Sequence, residues 1–527
     1  MAGDHAIDRP VSRPVLLVLQ VVGLMVAAAL GWHFLQYLWH AIVAIQYKFG
    51  LDYGEGIVWQ QELLIPGPRM YGDITRFPFI VFHYPPVYHL AVRTLTATGL
   101  DMLAAGRSIS VISALTIGAV VARLAFLATP ESIGRAAKLT GSAIAGLTVF
   151  CFEPVVVWSM LMRVDLLAVA LSFLAVWCVV TSVGRPWRLY AGAFLFLLAM
   201  FTKQTSIAAP LATFPVMLLI DRRRTLAASG AVLLAGLALL LLLNAYTDGG
   251  FLRHIVLYNV NRYRFGAVIE AIQGEWPHTV FLFVTIIGLN SLWRRLAAEQ
   301  GWKNLDSFKR DVAGNIVVRT ALVMTLYLIV TTGMVATTGK SGASDNYLIE
   351  GMCVWGAVIG TFVASRADQL IGYFAGIKPE GQKTAHPFLA MSLGSLLALQ
   401  MMVMPTSSGE YNNVTSDYVE ALDSLRCRIA NTQKPVLSDD MVLLLRAGKE
   451  VPWEPAIFAE LASQGRWNQR LIIDRIEAHE FAMIVTTERP GSPLDDSRYT
   501  PEVNRAIEAA YPRSEQVAGR TVHLPTD

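Results

Sequence analysis

Long apolar stretches recur from end to end of this chain, and a stretch of about 20 apolar residues is what a helix needs to cross the hydrocarbon of a bilayer. Eleven candidates stand at about 14–44, 106–128, 140–160, 165–183, 188–202, 205–220, 226–244, 279–296, 314–336, 348–364 and 387–405. No soluble fold has a use for so many. The fold class this predicts is an all-α polytopic membrane protein. Composition agrees: 54% of residues are hydrophobic and only 16% charged, where a soluble chain carries about 25% charged residues. A charge in hydrocarbon costs several kcal/mol, which accounts for the deficit. The first stretch, Val15 to Ala44 after Arg9 and Arg13, is too long for a signal peptide and reads as a retained span. Cys151, Cys178 and Cys353 lie in apolar stretches and Cys427 in the tail, so all four read as unpaired.

Basic residues set the expected orientation. Every second loop is basic: Arg135 and Lys138, Arg185 and Arg188, Arg222 to Arg224, Arg294, Arg295 and Lys303, then Arg366, Lys378 and Lys383. Short basic loops stay in the cytoplasm. The N-terminus is then cytoplasmic, the membrane is the cytoplasmic (inner) one, and whatever follows the eleventh span lies outside. From residue 408 onward there are 19 acidic against 13 basic residues, leaving 21 against 30 in the membrane part. The division expected is therefore 1–407, a membrane module with a long first outer loop at 46–102, and 408–527, an outward-facing α/β domain. In that domain 435–437 and 481–485 read as strands, and 451–460, 469–480 and 501–511 as helices. The helical pattern from Tyr84 to Leu100 would break the alternation of basic loops if it crossed. It reads as a helix lying on the outer membrane surface.

The loops on the outward side carry the chemistry: LDYGEG at 51–56, FHYPPVY at 82–88, RVDLLA at 163–168, FTKQT at 201–205, RHIVLYNVNRYRFG within 245–278, and GASDNYLIE at 342–350. An outward Lys203 or Lys340 runs against the basic-inside bias, which favours a task over simple exposure. The plain structural readings stay open beside the functional ones. Asp52 or Asp165 can cap a helix, Lys203 can snorkel, and His83 and Tyr84 before Pro85-Pro86 can be interfacial anchors. Asn346 and Tyr347 can cap the tenth span. Asn413-Val414-Thr415 matches a glycosylation sequon, a short pattern common by chance.

Apart from RHIVLYNVNRYRFG, these motifs, in this order and in these loops, resemble the GT-C superfamily of membrane glycosyltransferases. That superfamily includes the protein O-mannosyltransferases and the lipid A aminoarabinose transferases. The acidic pair here is spaced Asp52-x-x-Glu55 instead of adjacent. The resemblance implies transfer of a sugar from a polyprenyl-phosphate carrier to a glycan, lipid or protein acceptor at the outer face; nothing points to nucleic acid. It implies Asp52 as the general base, with Glu55 as the second acid. Partial desolvation at the membrane–water boundary moves an aspartate toward general-base range. It assigns the carrier phosphate to Arg163, Lys203 and Lys340, with Arg262 or Arg264 in reserve. His83, Tyr84, Asp165, Gln204, Asn346 and Tyr347 would line the same site. Asp52 and Asp165 together suggest a divalent cation, magnesium or manganese, since hard cations take oxygen ligands. Two other classes compete. A multi-pass transporter or flippase would commonly show internal repeats and a site at the bilayer midplane, and no repeat is found. A lipid-diphosphate-dependent oligosaccharide ligase or polymerase would depend less on an acidic first loop.

Overall fold

Helix starts follow local capping chemistry. Asp52 accepts from the Gly54 N–H at 2.8 Å and opens helix Tyr53–Leu64, while Asp101 caps Met102–Ala128. Asn315 caps Ile316–Met334 and Asp221 caps Arg222–Tyr246. Each such side chain satisfies an N–H that the first helical turn leaves free. The computed structural model describes residues 13–259, 261–374, 387–407, 414–487, 492 and 497–526. Arg9, Lys378, Lys383, Asn413 and the expected domain boundary at 408 lie outside the described residues.

Every one of the eleven apolar stretches coincides with helix. They are Arg13–Gln46, Met102–Ala128, Arg135–Thr148 continued by Glu153–Ser159, Asp165–Val180, Trp187–Thr202, Ala208–Ile220, Arg222–Tyr246, Thr279–Gln300, Ile316–Met334, Ile349–Phe374 and Pro387–Val403. Among the described residues, four segments are long and apolar enough to cross a membrane on length and composition: Met102–Ala128, Arg222–Tyr246, Trp276–Gln300 and Ile316–Gly339. A fifth is the pair Arg135–Cys151 and Glu153–Ser159, bent by 68°. Asp165–Val180, Trp187–Thr202 and Ala208–Ile220 are apolar but shorter. At 1.5 Å per residue a 16-residue helix reaches only about 24 Å, so these pieces cover less than a full hydrocarbon thickness. Helices Arg135–Thr148 and Ile349–Phe374 touch backbone to backbone. A Cβ on Gly141 would meet the Gly360 carbonyl at 2.2 Å, and one on Gly360 would meet Ala145 Cβ at 2.4 Å. Small residues permit such approach where there is no water to drive packing.

The region expected to lie on the membrane surface is helix Val87–Thr96, whose face of Tyr88, His89 and Val92 is buried. Tyr88 donates its hydroxyl to the Gly106 carbonyl at 3.0 Å, which ties this helix to Met102–Ala128. Ten residues are too few to span. The first loop also holds helix Tyr53–Leu64, and two further helices not expected from hydropathy, Phe265–Gly274 and Leu305–Gly314, sit between spans.

The C-terminal region is α/β as expected, with four strands: β1 (Leu437–Ser438), β2 (Ile484–Thr486), β3 (Arg513–Val517) and β4 (Arg520–Leu524). Their order is β1-β2-β4-β3, with β1 and β2 parallel and the other pairs antiparallel. Strands β3 and β4 and the helices Ser416–Ala430 and Met441–Arg446 escaped the sequence reading. Their apolar runs are too short for a clear period. This domain shares its core with the first loop: Ile74, Phe79 and Val81 pack among Trp453, Phe458, Trp467 and Tyr499, and Phe49 packs among Leu422, Leu425 and Leu443. Arg446 adds a bidentate ion pair to Asp101.

Candidate active site

The turn that starts helix Tyr53–Leu64 presents Asp52 to a cavity of about 650 Å³. Its Oδ2 accepts from Arg163 Nη1 at 2.8 Å, and its side chain remains 32% exposed. The rest of its surface is covered, a partial desolvation, and a guanidinium is its neighbour. Gly54 makes the contact possible, since a Cβ there would fall 1.1 Å from Arg163 Nη1. Arg163 also lies over the Trp158 ring, 4.8 Å from its centroid, and 3.5 Å from the Tyr84 hydroxyl.

Lys203 ends helix Trp187–Thr202 in an extended conformation, which turns its side chain into the cavity wall. Its Nζ donates to Asp165 Oδ1 at 2.6 Å and stands 4.4 Å from the centre of the Tyr347 ring. Asn346 donates to the same Asp165 oxygen at 2.8 Å. Asp165 is the first residue of its helix, and its carboxylate serves Lys203 and Asn346 instead of the capping role considered from sequence. Arg262 pairs with Glu460 at 3.2 Å, and His83 Nε2 lies 3.5 Å from Glu454 Oε2. Gln204 donates to the His83 carbonyl at 3.0 Å.

Of the residues singled out from sequence, Asp52, His83, Tyr84, Arg163, Lys203, Gln204, Arg262, Lys340 and Tyr347 all line this one cavity. Asp165 and Asn346 lie just beneath it as supports. Arg264 turns away to Glu270 and a second cavity of about 800 Å³.

Glu55 requires a correction. It is fully buried and outside the cavity lining, with both oxygens bonded to Arg107 at 2.8 and 2.7 Å. The N–H groups of Leu51 and Met162 supply two more bonds at 2.7 and 2.8 Å. Burial acts to raise its pKa, but Arg107 and these donors prevail and hold the carboxyl below its ordinary range. A carboxylate with every acceptor position filled has no lone pair to offer a substrate. Glu55 ties three pieces of chain together and is not a proton acceptor.

The cations of the cavity divide into two kinds. Arg163, Lys203 and Arg262 each face a carboxylate. Lys340 faces none among the described residues, and its pKa is lowered by burial and by the nearby Lys203. An unmatched, partly buried ammonium beside an open cavity is a place for an anion. The divalent cation suggested by Asp52 and Asp165 does not fit: each carboxylate already has its own cationic partner. Among the described residues, no three His, Cys, Asp or Glu side chains come together in a way that would hold a metal.

No protein-family model matches the chain, and no curated protein matches it in sequence. Solved structures do match. ArnT from Cupriavidus metallidurans bound to undecaprenyl phosphate aligns with a TM-score of 0.57 at 16% identity, over 94% of this chain and 98% of that one. The apo state of the same protein gives 0.57 at 13% identity over the same shares. The chain shares the fold of ArnT. Archaeal oligosaccharyltransferase AglB from Archaeoglobus fulgidus, in complex with an inhibitory peptide and a dolichol-phosphate, aligns with a TM-score of 0.45 at 10% identity, over 86% of this chain and 69% of that one. Because the ArnT alignment runs over nearly the whole of both chains, the shared fold takes in the C-terminal domain as well as the helices.

Sequence reasoning missed Arg107, Trp158, Asn259, Glu454 and Glu460. Arg107 had a readable signal, an arginine inside an apolar stretch, which marks a buried charge with a partner. Glu454 and Glu460 had none, standing among many acids of the tail.

Proposed function

We propose that the protein is a membrane glycosyltransferase that moves a sugar from a polyprenyl-phosphate carrier to an acceptor hydroxyl or amine at the outer face of the cytoplasmic membrane. One observation carries the reading. A carboxylate with an open edge, Asp52, shares a cavity with an unmatched cation, Lys340, and with Arg163 and Lys203, although these residues come from four separate loops. Bond formation between the acceptor oxygen or nitrogen and the sugar C1 releases a proton, which Asp52 takes. The C1–O bond to phosphate breaks, and the carrier phosphate leaves with one more negative charge. Lys340, with Lys203 and Arg163 alongside, stabilises that charge as it develops. Arg163 also holds Asp52 in place, so the base and the anion site are mechanically joined. The fold shared with ArnT supports the reading, as does the undecaprenyl phosphate bound to that protein.

The test is turnover and donor binding in purified protein with a polyprenyl-phosphate sugar. Asp52→Asn is expected to lower turnover about hundredfold or more while donor binding persists, as for removal of a general base. Lys340→Ala is expected to weaken donor binding by about tenfold or more, the worth of one charge-assisted contact. Transport of the substrate by Asp52→Asn at the unaltered rate, with no transfer by the unmodified protein, would overturn the proposal in favour of a transporter.

A further inference from the structure

Residues 79–84 lead to the cavity wall at His83 and Tyr84 and are held by hydrogen bonds along their length. The Phe79 N–H donates to the Pro452 carbonyl at 2.9 Å, and the Val81 N–H to Glu454 Oε2 at 3.3 Å. Gln61 donates to the Val81 carbonyl at 2.8 Å, and the Phe82 N–H donates to His254 Nδ1 at 3.0 Å. Tyr71 donates its hydroxyl to the Tyr84 carbonyl at 2.8 Å. Two of these holds come from the C-terminal domain.

His83 projects from this segment into the cavity wall with 16% of its side chain exposed. Its Nε2 is buried, makes no hydrogen bond among the described residues, and lies 3.5 Å from Glu454 Oε2, an ion-pair distance; Nδ1 is the other ring nitrogen of this cavity-lining residue. Glu454 precedes helix Pro455–Ser463, is fully buried, and its Oε1 has no hydrogen-bond partner among the described residues. A buried carboxylate is costly without a countercharge. Among the described residues, His83 is the one basic side chain set against it.

We propose that Glu454, carried by the C-terminal domain, is a positioning residue that stabilises His83 as an imidazolium and so adds a proton-dependent cation to the phosphate side of the cavity. The inference rests on the transferase reading for the identity of the anion. An anion at Nδ1 favours a proton on His83, and the Glu454 carboxylate facing Nε2 compensates the imidazolium. His254, behind the segment, is pushed down to about 4, chiefly by burial, and is neutral. Arg163 and Lys203 share the cavity but are matched by Asp52 and Asp165, and burial raises the Tyr84 phenol. Burial raises Glu454 as well, with His83 and the Val81 N–H acting against it.

The experiment follows the His83 ring by NMR of full-length, histidine-labelled protein, assigned by its loss in His83→Asn. Glu454→Gln is expected to lower the His83 titration midpoint by about one pH unit, a tenfold change in its protonation equilibrium. Added polyprenyl phosphate should raise the midpoint in the unmodified protein and less in the variant. In turnover, Glu454→Gln should raise KM for the donor and move the alkaline limb of the pH profile to lower pH. The His83→Gln/Glu454→Gln pair should be no worse than His83→Gln alone. If Glu454→Gln folds poorly, Glu454→Asp should show a smaller shift in the same direction. An unmoved midpoint in a folded variant, or additive losses in the pair, would overturn the proposal. The titration needs no turnover, so failure of the transferase reading would appear separately, in the Asp52→Asn assay.

Discussion

Asp52 and Glu55 stand three residues apart on the first turn of one helix and belong to different worlds. Asp52 faces the cavity, about a third exposed, with one cation and one N–H on a single oxygen. Glu55 faces inward, fully buried, with four donors on two oxygens. A third acid on the helix, Glu62, is buried with Oε2 unpartnered, and burial raises it to about 7 against the pull of Arg93. Three carboxylates within eleven residues thus range from open to the cavity, to fully paired, to raised into the neutral range. Residue type sets none of this; the partners that each side meets do.

The sharpest way to break the contrast is to remove Glu55. Glu55→Ala leaves Arg107 buried and uncompensated, which should cost about 3–5 kcal/mol of stability. The loss should appear as a lowered thermal midpoint or failure to purify, with activity following fold. Asp52→Asn should do the reverse, with an unfolding midpoint close to that of the unmodified protein alongside the hundredfold loss of turnover. Equal stability losses at the two positions would end the distinction. Glu62 gives a smaller, pH-dependent effect. Its folded pKa is raised, so folding is favoured by the protonated acid below its unfolded value of about 4.3. That advantage is lost as pH rises toward and through 7. Glu62→Gln should therefore leave stability unchanged near pH 4 and increase it at pH 8, read from unfolding midpoints at the two pH values. The smallest effect belongs to Arg446→Ala, which removes a partly exposed ion pair to Asp101 at the domain seam. About 1 kcal/mol or less is expected, since the shared cores carry the attachment. A large loss in limited-proteolysis resistance there would show that the seam depends on charge after all.

The membrane helices were legible because hydrocarbon imposes one requirement, length of apolar sequence, that a linear reading can measure. The candidate site was half legible. Lys340 stood out as an outward lysine against the basic-inside bias, and the family resemblance gave roles to Asp52, Arg163, Lys203 and Lys340. Their partners did not. Asp165 meets Lys203 across 38 positions, Asn346 meets Asp165 across 181, and Arg262 meets Glu460 across 198. The misreading of Glu55 has the same origin: the capping turn was visible, but not Arg107 on the next membrane helix.

By itself the sequence determined that this chain is largely helical and rich in apolar stretches suited to a membrane, because hydropathy acts locally along the chain. Tertiary structure alone decided which acid stays open, which cation stays unmatched, and that Glu454 reaches His83. Those outcomes depend on desolvation and on pairing between side chains distant in sequence, and both energies exist only once the elements have packed.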